Sequence, residues 1–125
     1  MHTKLFNNTL TVVSKPHNLS FFTNQKDHYG NYKIKITPEL INYIKSEGSY
    51  CWDNINPKEA NSLSSDYDEY YDKNLDNNGG LDLINSTKDD GINYLRFNAP
   101  SLTDNKLYQF NKRKFESFLY DLNKL

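Results

Sequence analysis

Along the chain the spacing of hydrophobic positions changes several times, and each change marks an element. Residues 9–14 (TLTVVS) and 19–23 (LSFFT) are rich in β-branched and aromatic side chains. Lys15, Pro16, His17 and Asn18 between them are turn residues, which predicts a β-hairpin. Residues 32–36 (YKIKI) alternate Ile34 and Ile36 with Lys33 and Lys35, the period of a half-buried strand with its lysines toward water. Thr37 followed by Pro38 then supplies a helix cap and a first-turn proline, and Leu40, Ile41 and Ile44 form an inward stripe up to Gly48, the expected stop.

The second half is less regular. Residues 49–55 (SYCWDNI) read as a strand, and Asn56 with Pro57 opens a short helical turn through Ala60. The central stretch, SDYDEYYDKNLDNNGG over residues 65–80, predicts a helix from a Ser65 cap to Asp76. At about 100° per residue, Tyr67, Tyr70, Tyr71 and Leu75 would share one arc, and Asp66, Asp68, Glu69, Asp72 and Asp76 the other. Residues 77–80 read as a tight turn, and 81–85 with 92–98 as a second hairpin around residues 88–91. A loop over 99–105 leads to an apolar run at 107–110. Asn111 then caps a last helix carrying Phe115, Phe118, Leu119 and Leu122 on one face, with Phe110 and Phe115 placed as a hydrophobic staple. With no internal repeat and no long linker, the pattern predicts one small α+β domain over residues 1–125, an antiparallel sheet with two or three helices packed on one side.

Composition alters this picture in two respects. Hydrophobic residues make up only 36% of the 125 residues and mean hydropathy is −0.88, but aromatics reach 14%, so burial must rest heavily on rings. The single cysteine, Cys51, excludes an intramolecular disulfide and suits a reducing cytoplasm. The opening MHTKLFNN has no apolar signal region, and no run approaches the ~18 residues of a membrane span, so a cytoplasmic protein is expected.

The net charge of −1 conceals a strong asymmetry. Residues 1–47 carry six lysines against three carboxylates, a net of +3, and residues 92–125 carry six Lys or Arg against three carboxylates, again +3. Residues 48–91 carry ten carboxylates against three lysines, a net of −7. In the expected helix, Asp66 to Asp76 would span roughly 15 Å, one carboxylate per 3 to 4 Å, close to the roughly 3.4 Å per charge of a nucleic-acid strand. Asp66, Asp68, Glu69, Asp72 and Asp76, with Tyr70, are therefore the candidate partner-binding residues. The same carboxylates would also serve as the solvated face of any exposed helix.

A search for catalytic chemistry is negative: there is no glycine-rich phosphate loop, nucleophile elbow, HExxH or CxxC. His2, His17 and His28 are scattered, and Cys51 beside Trp52 reads as a small core residue, so neither a metal, a cofactor nor an enzymatic activity is expected. Residues 74–85 resemble an EF-hand calcium loop at Asp76, Asn78, Gly79, Leu81 and Asp82, but Asn74 replaces the first Asp and Asn85 the bidentate Glu. A second cluster, Lys106, Lys112, Arg113 and Lys114, puts three cations in the first turn of the last helix, where the helix dipole disfavours them. It would serve either a nucleic-acid contact, with Arg96 and Tyr94 adding stacking, or pairing with an acidic surface.

In size, acidity and Asn/Tyr-rich composition the chain resembles the small phage proteins that block CRISPR nucleases or restriction enzymes. The resemblance is one of type and assigns no residue a role. It implies an inhibitor that offers an acidic, tyrosine-rich, nucleic-acid-mimicking face to a basic nucleic-acid-binding protein, a nuclease or CRISPR effector. An immunity protein against a nuclease toxin would need the same surface, and a nucleic-acid-binding accessory protein would use the basic cluster. A pI near 6.3 and a −7 centre argue against unaided duplex binding. The altered calcium loop yields a direct expectation. With a dissociation constant of about 1 mM, about 1 mM calcium would add only about 0.4 kcal/mol. Melting temperatures in calcium and in chelator should therefore coincide, and a rise of several degrees in calcium would reinstate the site.

Overall fold

The computed structural model describes residues 1–27, 29–72, 77–86, 91–98 and 106–125. Strands β1 (His2–Phe6), β2 (Leu10–Lys15) and β3 (Asn18–Phe22) form a meander, followed by β4 (Asn31–Lys35) and helix α1 (Pro38–Cys51). Then come β5 (Glu69–Asp72), β6 (Asn77–Ser86), β7 (Ile92–Asn98), β8 (Lys106–Phe110) and helix α2 (Lys112–Leu122). The strands form two antiparallel four-stranded sheets, ordered β1-β2-β3-β8 and β4-β7-β6-β5. The α+β class and the antiparallel pairing are as expected, with two sheets in place of one.

Local chemistry explains the elements that match. The first hairpin pairs Lys15 with Asn18 across a turn in which His17 takes φ 65°, and the second pairs Leu81 with Phe97 and Leu83 with Leu95. In β4, Tyr32 and Ile34 are buried while Lys33 and Lys35 are exposed. Thr37 accepts a hydrogen bond from the Leu40 amide at 3.2 Å to cap α1, and Asn111 accepts one from the Lys114 amide at 2.8 Å to cap α2. Phe110 and Phe115 meet edge to face at 5.7 Å, as a staple should.

Five expectations fail. The strand over 49–55 is absent because α1 runs on to Cys51, and residues 52–68 contain neither strand nor α-helix, so the short turn of helix before Ala60 is absent too. The acidic helix from Ser65 to Asp76 does not form either: residues 61–68 turn and residues 69–72 extend as β5. Residues 77–80 are strand and not turn, because β6 begins at Asn77 to pair with β5. The fifth is Gly48, which does not stop its helix. A Cβ there would lie 2.3 and 2.4 Å from two ring carbons of Phe115, so glycine is needed to let the ring of α2 rest on α1. Residues 77–85, most of the calcium-like segment, lie in the extended β6, while Asn74, Leu75 and Asp76 fall outside the described residues, as do His28, residues 88–90 of the turn expected at 88–91, and the loop expected at 99–105.

Aromatic rings share the core with about as many aliphatic side chains. Phe21 on β3 contacts Phe110 of its own sheet at 5.6 Å, Phe97 of the other sheet at 5.4 Å and Phe118 of α2 at 6.5 Å, all edge to face. One ring thus joins both sheets and a helix. Leu40 and Ile44 of α1 are buried in the same cluster, and Phe6 of β1 meets Tyr43 at 5.3 Å.

Gly48 provides a test with opposing terms. Alanine is preferred over glycine inside a helix by about 1 kcal/mol. Phe115, however, is fully buried and held by Trp52 at 5.2 Å and by Phe110, so its ring cannot retreat from an added methyl. Overpacking of this kind costs about 1–3 kcal/mol. Gly48→Ala should therefore lower stability in urea unfolding, and Phe115→Leu in the same chain should recover part of the loss. An alanine variant as stable as the parent would show that the ring has room to move.

Candidate functional site

The candidate acidic surface is built by α2. At 100° per residue, Lys114, Ser117 and Asp121 stand at i, i+3 and i+7 and make one polar stripe beside the buried Phe115, Phe118 and Leu122. Each grips the segment 64–69 in reverse order. Lys114 Nζ donates to the Glu69 carbonyl oxygen at 2.6 Å, Ser117 Oγ to Asp66 Oδ2 at 3.0 Å, and Asp121 Oδ2 accepts from the Ser64 amide at 3.0 Å and the Tyr67 hydroxyl at 2.6 Å. On the neighbouring face, buried Glu116 accepts from the Asn56 amide at 2.7 Å and approaches Lys58 Nζ at 3.6 Å.

These bonds account for the missing helix. Ser64 takes φ 68°, a left-handed conformation that non-glycine residues rarely adopt, and its hydroxyl accepts from the Leu83 amide of β6 at 3.0 Å. Tyr67 turns inward, fully buried, against Phe118 at 5.3 Å, and its carbonyl accepts from the Tyr108 hydroxyl at 2.6 Å. Beyond it Glu69 pairs with Gly80 and Tyr70 with Gly79. A Cβ on Gly80 would stand 2.8 Å from the Asp68 carbonyl oxygen, so the glycine admits that close approach, and the Leu81 amide donates to the same oxygen at 3.2 Å. Tertiary hydrogen bonding overrides a tyrosine spacing that, over so short a stretch, suits a helix and a strand alike.

Asp66, Asp68 and Glu69 are exposed on this clasped segment. The main chain of Tyr70 and Asp72 lies in β5, and that of Lys106 begins β8, while Asp76 lies outside the described residues. The regular row of carboxylates at one per 3 to 4 Å depended on the helix and does not carry over to a turn followed by a strand. Of the basic cluster, Arg113 is exposed, Lys112 is half-buried, and Lys114 is brought to the acidic segment. Desolvation lowers the Lys114 pKa, against the opposing pull of the Glu69 and Asp68 carboxylates. Ser117, Glu116 and Asp121 were not among the expected site residues. Their signal is polar residues at helical spacing beside an aromatic stripe.

The Cys51 thiol is buried, donates to the Asn18 carbonyl at 3.1 Å, and has its pKa raised chiefly by desolvation. Among the described residues no three His, Cys, Asp or Glu side chains converge as metal ligands would, and no helix is long and apolar enough to cross a membrane. Comparison with protein-family models, curated proteins and solved structures finds no match.

The clasp has a pH signature. Desolvation, then the hydrogen bond to Asp121, raises the Tyr67 pKa far above its ordinary 10.0. Above that value the unfolded chain releases this proton while the folded chain keeps it, so the contribution is complete below about pH 10 and falls by about 1.4 kcal/mol per pH unit above it. Stability from urea unfolding should therefore drop more gently with alkaline pH in Tyr67→Phe than in the parent, although the variant starts lower at neutral pH. Parallel pH profiles would show that Tyr67 does not take part.

Proposed function

We propose that the protein is a binding inhibitor whose acidic face, centred on Asp66, Asp68 and Glu69, occupies the basic groove of a nucleic-acid-binding enzyme such as a nuclease or CRISPR effector. The observation that supports this reading is the clasp: exposed carboxylates stand on backbone fixed at Ser64, Tyr67, Asp68 and Glu69 by hydrogen bonds to α2, β8 and β6. A pre-ordered charged surface loses little conformational entropy on docking, and charge complementarity sets partner choice and association rate. In this reading the patch stands in for a few phosphates. Both helices pack on one side and leave this edge open, and the protein works in the cytoplasm, where such enzymes act.

The test is charge reversal at conserved geometry. Asp68→Lys with Glu69→Lys, and Asp66→Asn to retain an oxygen for Ser117, puts like charges against a basic groove, which costs several kcal/mol. With the partner recovered by the native protein from its host cells, affinity should fall at least about 100-fold, while exposed substitutions should change stability by about 0.5 kcal/mol or less each. Unchanged affinity in a folded variant would eliminate the reading.

A further inference from the structure

The outer face of the second sheet carries the opposite charge. Alternation buries Tyr32 and Ile34 of β4, Leu95 and Phe97 of β7, and Leu81 and Leu83 of β6, and so turns Lys33, Lys35, Tyr94, Arg96 and Ile84 outward together. Register places Lys33 opposite Arg96 and Lys35 opposite Tyr94. Lys33 Nζ stands 4.4 Å from the centroid of the Tyr94 ring, and the Arg96 guanidinium is held at 2.6 Å by Asp82 on the next strand. Beside them lies an open cleft of about 490 Å³, walled by Gln25, Lys26, Asp27, Asn31, Lys33 and Arg96. At its rim the Asp27 carbonyl accepts from the Gly30 amide at 3.0 Å, and Tyr29 is 81% exposed.

We propose that this face binds single-stranded nucleic acid, with Lys26, Lys33, Lys35 and Arg96 meeting phosphates and Tyr94 stacking a base. Four cations face two carboxylates, Asp27 and Asp82, so the patch is positive on a chain of net charge −1. The acidic β5 lies two strands from β7, about 10 Å at ~4.8 Å per strand, beyond the ~8 Å over which charges are felt at physiological salt. Lys33 and Lys35 are about 6.8 Å apart along their strand, two intervals of the ~3.4 Å charge spacing of a nucleic-acid strand. A duplex hides the base faces that an aromatic ring needs, whereas an open strand presents them. A stacking base would take the ring face from the Lys33 ammonium, which is thereby released toward the adjoining phosphate.

Fluorescence anisotropy with a labelled oligothymidylate of about 12 nucleotides, a blunt duplex of the same length and poly-glutamate as competitor tests this on the intact protein. The oligothymidylate should bind and the duplex bind at least tenfold more weakly. Tyr94→Ser should weaken binding at least about fivefold, and Tyr94→Phe should restore it. Lys33→Gln with Lys35→Gln should weaken binding and reduce the salt slope by about 1.4, two phosphates at about 0.7 each. Lys112→Gln with Arg113→Gln on α2 should leave it unchanged. Unaltered melting temperatures would assign these losses to the surface. The proposal is overturned if the oligothymidylate fails to bind at about 50 mM salt, if the duplex binds as tightly, or if the α2 variant alone abolishes binding. It is equally overturned if poly-glutamate competes at equal charge and Tyr94→Ser has no effect, which would identify an acidic polypeptide as the occupant.

Discussion

A carboxylate buried at the end of a helix holds the least regular part of this fold. Asp121 is 5% exposed, and a buried charge is tolerable only when donors surround it. Its donors, the Ser64 amide and the Tyr67 hydroxyl, come from a segment without regular structure of its own. Satisfying Asp121 therefore fixes that segment. Ser64 is kept at φ 68°, Tyr67 is drawn into the core, and the chain leaves in the direction that lets Glu69 begin pairing with β6. Breaking such a contact leaves a charge, an amide and a hydroxyl unpaired at once, so its loss costs more than one ordinary hydrogen bond of about 1 kcal/mol.

The clasp works only because α2 is itself immovable. Phe115 rests in the space left by Gly48 on α1, and Phe118 touches Phe21, Phe110 and Tyr67. Around them aliphatic side chains fill the core in about equal number, and the edge-to-face ring pairs add directionality, each worth about 0.5–1.5 kcal/mol beyond its buried area. The polar stripe of Lys114, Ser117 and Asp121 runs beside this apolar one, and one rigid helix thereby serves both the core and the acidic segment.

Elements determined by near neighbours were legible in the sequence. The Pro16-His17 turn, the alternation of residues 32–36, the Thr37 and Asn111 caps and the Phe110–Phe115 staple all depend on residues within a few positions. What escaped depends on distant partners. Gly48 reads as a stop until Phe115 is known to rest on it, and the tyrosines at 67, 70 and 71 suit a helix until Gly79 and Gly80 offer an open backbone for β5. β1 gave a weaker signal: of its residues only Phe6 is buried, and Asn7 and Asn8, both at positive φ, form the turn that returns it to β2. Of the candidate site, the acidic composition was legible and its geometry was not. The buried donors and acceptors that shape it lie 19 to 57 residues away, on β6, β8 and α2.

The manner of that holding bears on charge. A −7 segment between two +3 segments would be expected to fold by direct ion pairing, which would consume the charge in assembling the fold. Along the clasp it is largely retained. Asp66 is bonded by a neutral serine hydroxyl, Asp121 by an amide and a phenol, and the Lys114 ammonium donates to the main-chain oxygen of Glu69, which leaves the Asp68 and Glu69 carboxylates exposed. At the opposite edge of the same sheet, Lys33 and Lys35 are likewise turned to solvent. Strand order separates the two signs by the full width of a four-stranded sheet, roughly 14 Å, farther than the ~8 Å screening length. At that distance neither edge cancels the field of the other, and a chain whose net charge is close to zero presents two surfaces of opposite sign.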